Sequence, residues 1–167
     1  KPFEPEHRLF NPDLAGGALL DTGIYPVSLA SFIMGKQPER IAVLAEMAPT
    51  GVDQATLMNF SYADGGMAQL GCGINARSEN RVEIVGEKGR IVIPESFLAA
   101  KSVEMYRADG TQIKKYHPFK DAEGFRFEIE AVHQALNHGR GESAVMPQAE
   151  TIAIAETMDR VLKEILP

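Results

Sequence analysis

The chain has 167 residues, of which 44% are hydrophobic and 24% charged, and a formal net charge of −6. These values describe a globular domain with enough apolar side chain for a sizeable core, and the acidic balance argues against non-specific binding to nucleic acid or an anionic membrane surface. One cysteine, Cys72, excludes an intrachain disulfide and points to a reducing cytoplasm, and no apolar run reaches the roughly 18 residues of a membrane span.

Residues 1–15 carry Pro2, Pro5 and Pro12 and read as an extended lead-in, with Asn11-Pro12-Asp13 as a turn signal. The chain starts at Lys1 rather than Met, as a piece of a longer polypeptide would. Residues 16–167 read as one domain. Residues 17–34 predict a helix that stops at Gly35. Leu20, Ile24, Val27, Ala30 and Met34 form one apolar stripe, and Asp21, Tyr25, Ser28 and Phe32 form the next. Pro26 removes a backbone donor and predicts a kink or an irregular first turn.

From residue 38 to 117 the period changes to two, and residues 40–47, 54–62, 67–76, 81–85, 90–93 and 102–107 predict strands. Short turns between them, Asp64-Gly65 above all, favour antiparallel pairing. Residues 123–139 and 148–165 return to helical spacing, with Pro147 opening the last helix. The order predicts an α+β fold: an open, mostly antiparallel β-sheet with helices packed on one face, and no Rossmann unit. Two strands are apolar on both faces. Met58, Phe60 and Tyr62 oppose Ala55 and Leu57, while Ile41, Val43, Ala45 and Met47 oppose Ala42 and Leu44. Helices on one side leave the other face for a partner, and a second copy of the chain is the expected one.

Several motifs carry no chemistry on this reading. Gly71-Cys72-Gly73-Ile74-Asn75-Ala76 matches G-x-G-x-x-A, but a dinucleotide fingerprint ends a strand and opens a helix, and here another strand follows. Asn59-Phe60-Ser61 is a glycosylation sequon inside a predicted strand. His7, His117, His133 and His138 lack metal-ligand spacing, so no metal is expected.

The chemistry concentrates between Arg8 and Ser28. Gly16-Gly17 allows another molecule to approach the backbone. Asp21 and Tyr25 stand four residues apart, on one face of a helix, as an acid and a phenol able to share a proton-transfer site. Arg8 is close enough in sequence to face the same cleft. The plain alternatives are an idle surface arginine, a carboxylate favoured by a helix start and a core-edge aromatic.

These residues carry a resemblance. The stretch RLFNPDLAGGALLDTGIYPVSLASFIMG resembles the substrate-domain helix of the Gfo/Idh/MocA oxidoreductases. It is most similar to the branch that contains glucose–fructose oxidoreductase and the dimeric dihydrodiol (xylose) dehydrogenases. VEIVGEKGRIVIP resembles a hairpin of that family, and GFRFEIEAVHQAL with the segment after it resembles its two closing helices. The resemblance implies an N-terminal Rossmann domain, absent from this chain, that binds NAD or NADP. It implies a C-terminal domain whose open sheet face forms a homo-oligomer, and a small-molecule sugar, cyclitol or diol substrate whose carbinol carbon exchanges hydride with the nicotinamide. A lysine of an E-K-P motif in the N-terminal part assists; Lys1-Pro2 lies too close to the helix to be it.

By the same resemblance Asp21 is the helix aspartate that binds substrate or relays a proton, and Tyr25 occupies a position where many members carry histidine. Histidine titrates near neutrality and tyrosine near about 10, so a tyrosine here requires a nearby cation such as that lysine. Tyr25 and Asp21 are thus the expected catalytic pair, with Arg8, Gly16, Gly17 and Ser28 lining the substrate. No cofactor-binding residue is expected in this chain, which alone should not transfer hydride. A non-catalytic dimerisation or ligand-binding module of the same fold is the alternative.

Overall fold

The computed structural model describes residues 2–117 and 124–165. Position 1 and residues 118–123 and 166–167 lie outside the described set, and with them the first residue of the helix expected over 123–139. The chain forms two compact units, Lys1–Arg77 with Ala144–Pro167, and Ser78–Ser143. The fold is α+β with antiparallel sheets, as expected. The strands fall into two ladders, of three and four strands, rather than one open sheet, and 16–167, expected as one domain, is shared between the two units.

The first unit holds β1 (Arg40–Met47), β2 (Asp53–Ser61) and β3 (Met67–Gly73), in the order β1-β2-β3. In register, Met58 stands opposite Val43 and Leu70, and Phe60 opposite Ile41 and Ala68. That row faces the core, because side chains two apart on a strand share a face. Helices α1 (Ile24–Met34) and α3 (Gln148–Ile165) cover it: Leu19, Val27, Met58, Phe60, Tyr62, Ile154, Met158 and Val161 form one buried cluster. A polar cluster fastens α3 to α1. Thr157 donates to Gln37 Oε1 at 2.9 Å, Gln37 Nε2 donates to Ser31 Oγ at 2.5 Å, and Ser31 donates to Glu150. Arg160 adds bonds to the carbonyls of Pro38 and Glu39. The other sheet face keeps Leu44 directly opposite Leu57, 74% and 57% exposed.

The lead-in is not extended. Bends and turns run through it, Pro12–Leu14 forms a 3-10 turn, and Phe10 is fully buried against Ala18, Ala48, Val52 and Ile74. The helix expected over 17–34 is interrupted. Leu19–Gly23 is a π-turn and α1 begins at Ile24. Pro26 supplies the reason: it lacks the N–H that an α-helix would direct at the Thr22 carbonyl, so the preceding turn widens. Thr22 donates its hydroxyl to the Ala18 carbonyl at 2.9 Å. By length and composition Pro12–Met34 is sufficient to cross a membrane, with a mean hydropathy of 1.3. The sequence reading missed this because the span is apolar only on average; within it Leu19, Val27 and Ala30 are buried, while Leu20, Phe32 and Ile33 are exposed.

The second unit contains β4 (Val82–Gly86), β5 (Gly89–Ile93), β6 (Val103–Arg107) and β7 (Gln112–Tyr116), paired in sequence order. It also contains α2 (Gly124–Asn137). β7 carries two lysines and no exact alternation, and the sequence reading missed it. The β4–β5 hairpin needs Gly89: its φ is +152°, and a Cβ there would strike the Tyr106 carbonyl. On this sheet Lys115 pairs with Glu104 at 2.8 Å, Tyr106 donates to Glu104 at 2.5 Å, and Arg90 lies 4.8 Å above the Tyr106 ring.

Candidate active site

The π-turn carries Asp21 and the first turn of α1 carries Tyr25. Arg8 reaches across from the lead-in and places Nη1 2.7 Å from Asp21 Oδ1. Arg8 is largely open to solvent and Asp21 is half-buried, so the pair lies at the rim of the helix start. The expected neighbourhood of Arg8 and Asp21 is therefore present in the structure. No hydrogen bond joins Asp21 to Tyr25 among the described residues, and the i,i+4 step between them spans the change from π-turn to α-helix. The Tyr25 side chain is 45% exposed, and its hydroxyl has no partner among the described residues. Ser28 follows on α1, half-buried.

The glycine pair does something other than open the backbone. A Cβ on Gly16 would lie 2.7 Å from the Asn11 carbonyl oxygen, 2.8 Å from that of Arg8 and 2.9 Å from that of Leu9. Gly16 and Gly17 spend their N–H groups on Asn11 and Leu9, at 3.0 and 2.9 Å. The close approach is thus made by the chain's own lead-in, and it fixes the loop that presents Arg8. Gly17 also has φ +120°, with the Asp53 carboxylate where its Cβ would be.

Asp53 is the residue the sequence reading missed. It opens β2, is 5% exposed, and takes two hydrogen bonds on Oδ2: the Leu19 N–H at 2.8 Å and the Thr56 hydroxyl at 2.5 Å. The only signal was an aspartate at the head of a strand, where that residue is depleted. Beneath the π-turn lies Cys72, close enough that a Cβ on Gly23 would sit 3.0 Å from its sulfur. Burial first, then the Asp53 charge, pushes the Cys72 thiol up to about 11. It stays protonated at neutral pH, which removes it as a nucleophile.

Gly71-Cys72-Gly73 lies in β3 and no helix follows it. A pyrophosphate needs a glycine turn feeding a helix N-terminus, so this run does not fit a dinucleotide. What the arrangement offers is a charge-balanced carboxylate and, on the adjoining turn, a phenol with no partner among the described residues, suited to holding and exchanging protons with a hydroxylated small molecule.

The chain is 31% identical over 163 residues to trans-1,2-dihydrobenzene-1,2-diol dehydrogenase of Xenopus tropicalis, covering 95% of this chain and 49% of that protein. It is 29% identical to the human enzyme of the same name, covering 90% and 47%. The chain thus spans about half the length of these relatives. Among solved structures, aldose-aldose oxidoreductase from Caulobacter crescentus superposes with a TM-score of 0.82 at 17% identity, over 98% of this chain and 50% of that one. A 3-ketoreductase from Actinomadura kijaniata, in complex with NADP, superposes with a TM-score of 0.74 at 24% identity, over 89% and 47%. These likenesses establish the fold. The profile of the GFO/IDH/MocA C-terminal domain matches residues 1–92 of the 167, and the chain accordingly belongs to that family.

Proposed function

We propose that this chain is the substrate domain of an NAD(P)-dependent dehydrogenase acting on a carbinol carbon of a sugar, cyclitol or diol. The observation that carries the reading is the Arg8–Asp21 pair at 2.7 Å, one turn before Tyr25, whose hydroxyl has no partner among the described residues, in a family whose relatives are named dehydrogenases. The nicotinamide coenzyme, NAD or NADP, supplies the hydride acceptor or donor when bound. It would be held by a Rossmann domain outside this chain, a reading supported by the chain's span of about half its relatives' length.

This chain's residues do the rest. Tyr25 Oη hydrogen-bonds the reacting oxygen and exchanges its proton. Asp21, oriented by Arg8, receives a second substrate hydroxyl. Gly16 and Gly17 hold the Arg8 loop at the substrate's edge, and Ser28 offers a further hydroxyl along α1. Exposed Leu44 and Leu57 on the uncovered sheet face support a homo-oligomer through that face. The single cysteine and acidic balance support a cytoplasmic protein with neither nucleic acid nor membrane as partner.

The test is coenzyme-dependent turnover by the full-length protein over a panel of aldoses, cyclitols and vicinal diols with NAD and NADP. Turnover that collapses in Tyr25→Phe supports the reading. Turnover unchanged by that substitution, or none across the panel, overturns it.

A further inference from the structure

We infer that Asp53 is the positioning residue of this site: its buried carboxylate anchors the start of the π-turn and so sets where Asp21 stands relative to Arg8. The inference rests on the reading of Arg8, Asp21 and Tyr25 as the reacting site.

A helix-type start leaves its first N–H groups without partners, and a side chain just before it normally accepts one. Here the preceding residues are Gly16, Gly17 and Ala18, none with a side-chain acceptor, and Ala18 makes no capping bond. The acceptor comes instead from β2, thirty-four residues on, as Asp53 Oδ2. A carboxylate that is 5% exposed is costly unless its oxygens are satisfied. The Leu19 amide and the Thr56 hydroxyl satisfy Oδ2.

Asp53 touches both halves of the site at one point. Through Leu19 it fixes the π-turn two residues before Asp21. Its Oδ1 occupies the Cβ space of Gly17, whose N–H holds the Leu9 carbonyl beside Arg8 and whose carbonyl accepts the Asp21 N–H. Strand β2 thereby carries the alignment of Arg8 with Asp21, although Asp53 itself is walled off from a substrate.

The experiment uses the full-length protein with Asp53→Ala and Asp53→Asn, each alone and combined with Asp21→Asn. Amide exchange at Leu19 and Asp21 is read beside kcat and coenzyme KM. Asp53→Ala should speed Leu19 exchange by at least about tenfold, the worth of a hydrogen bond to a charged group. It should lower kcat about tenfold with coenzyme KM unchanged, and that loss should shrink below about twofold once Asp21 is already Asn, since the two act as one unit. Asp53→Asn, which keeps an acceptor oxygen and the volume, should recover most of both.

Unaltered exchange at Leu19, or a kcat loss of equal size in both Asp21 backgrounds, overturns the inference. If Asp53→Ala does not fold, Thr56→Val, which removes one donor from Oδ2, replaces it in the same comparisons with about threefold effects. A full-length wild type inert toward every polyol sinks the functional reading instead, and exchange at Leu19 and Asp21 then decides whether Asp53 anchors the turn.

Discussion

Arg8 and Asp21 form a 2.7 Å ion pair across thirteen residues, with the guanidinium largely in solvent and the carboxylate half-buried. An exposed pair of this kind contributes about 0.2–1 kcal/mol at most. Its place at the helix start therefore reflects orientation more than stability. Arg8→Met should leave the urea midpoint nearly unchanged and lower kcat/KM of the full-length protein by about tenfold or more. A large loss of stability with intact turnover would reverse this assignment.

Tyr25→Phe separates chemistry from folding. The ring is 45% exposed and the hydroxyl has no partner to lose among the described residues, so Tm should change by less than about 2 °C. Turnover should fall by about 100-fold or more, the usual contribution of a positioned acid–base group. Coenzyme affinity, measured by fluorescence titration, should stay the same.

Leu57→Lys tests the uncovered sheet face. Leu57 and its cross-strand partner Leu44 both point to solvent. A charge there should leave the circular dichroism spectrum intact and shift sedimentation from oligomer to monomer. A wild type that already sediments as a monomer at micromolar concentration would remove the oligomer reading.

Cys72 gives a pH signature. Its thiol is raised from 9.0 to about 11 in the folded chain, chiefly by burial. A raised acid favours the protonated form, so the contribution is complete below pH 9 and is lost as pH rises toward 11. Stability measured by urea should decline over that window in the wild type and decline less in Cys72→Ala. Iodoacetamide at pH 8 should label Cys72 only after unfolding.

Thr157→Val probes the junction of α1 and α3. The substitution keeps the volume and strands the part-buried Gln37 Oε1, now bonded at 2.9 Å. We expect a loss of about 1–2 kcal/mol in urea unfolding. A neutral result would mean that the Ser31–Glu150 bond, the Arg160 bonds to the carbonyls of Pro38 and Glu39 and the core packing hold α3 without Thr157.

Most of the elements, and the fold class, are legible in the local sequence pattern. Periods of two and 3.6, with Gly35, Asp64-Gly65 and Pro147 as punctuation, are local properties, and β1 and α3 begin and end where that pattern places them. Pro26 foretold an irregular turn for the same reason, since a missing N–H is a fact of the residue. The Arg8–Asp21 neighbourhood was legible because a short loop with few conformations joins the two. Tertiary structure alone decided the rest. The strands' division into two ladders, the burial of Phe10 and the capping of Leu19 by Asp53 depend on residues distant in the chain. The glycine pair shows the difference most plainly. Composition says that Gly16 and Gly17 admit a close neighbour, but only the folded chain shows that the neighbours are its own carbonyls and the Asp53 carboxylate.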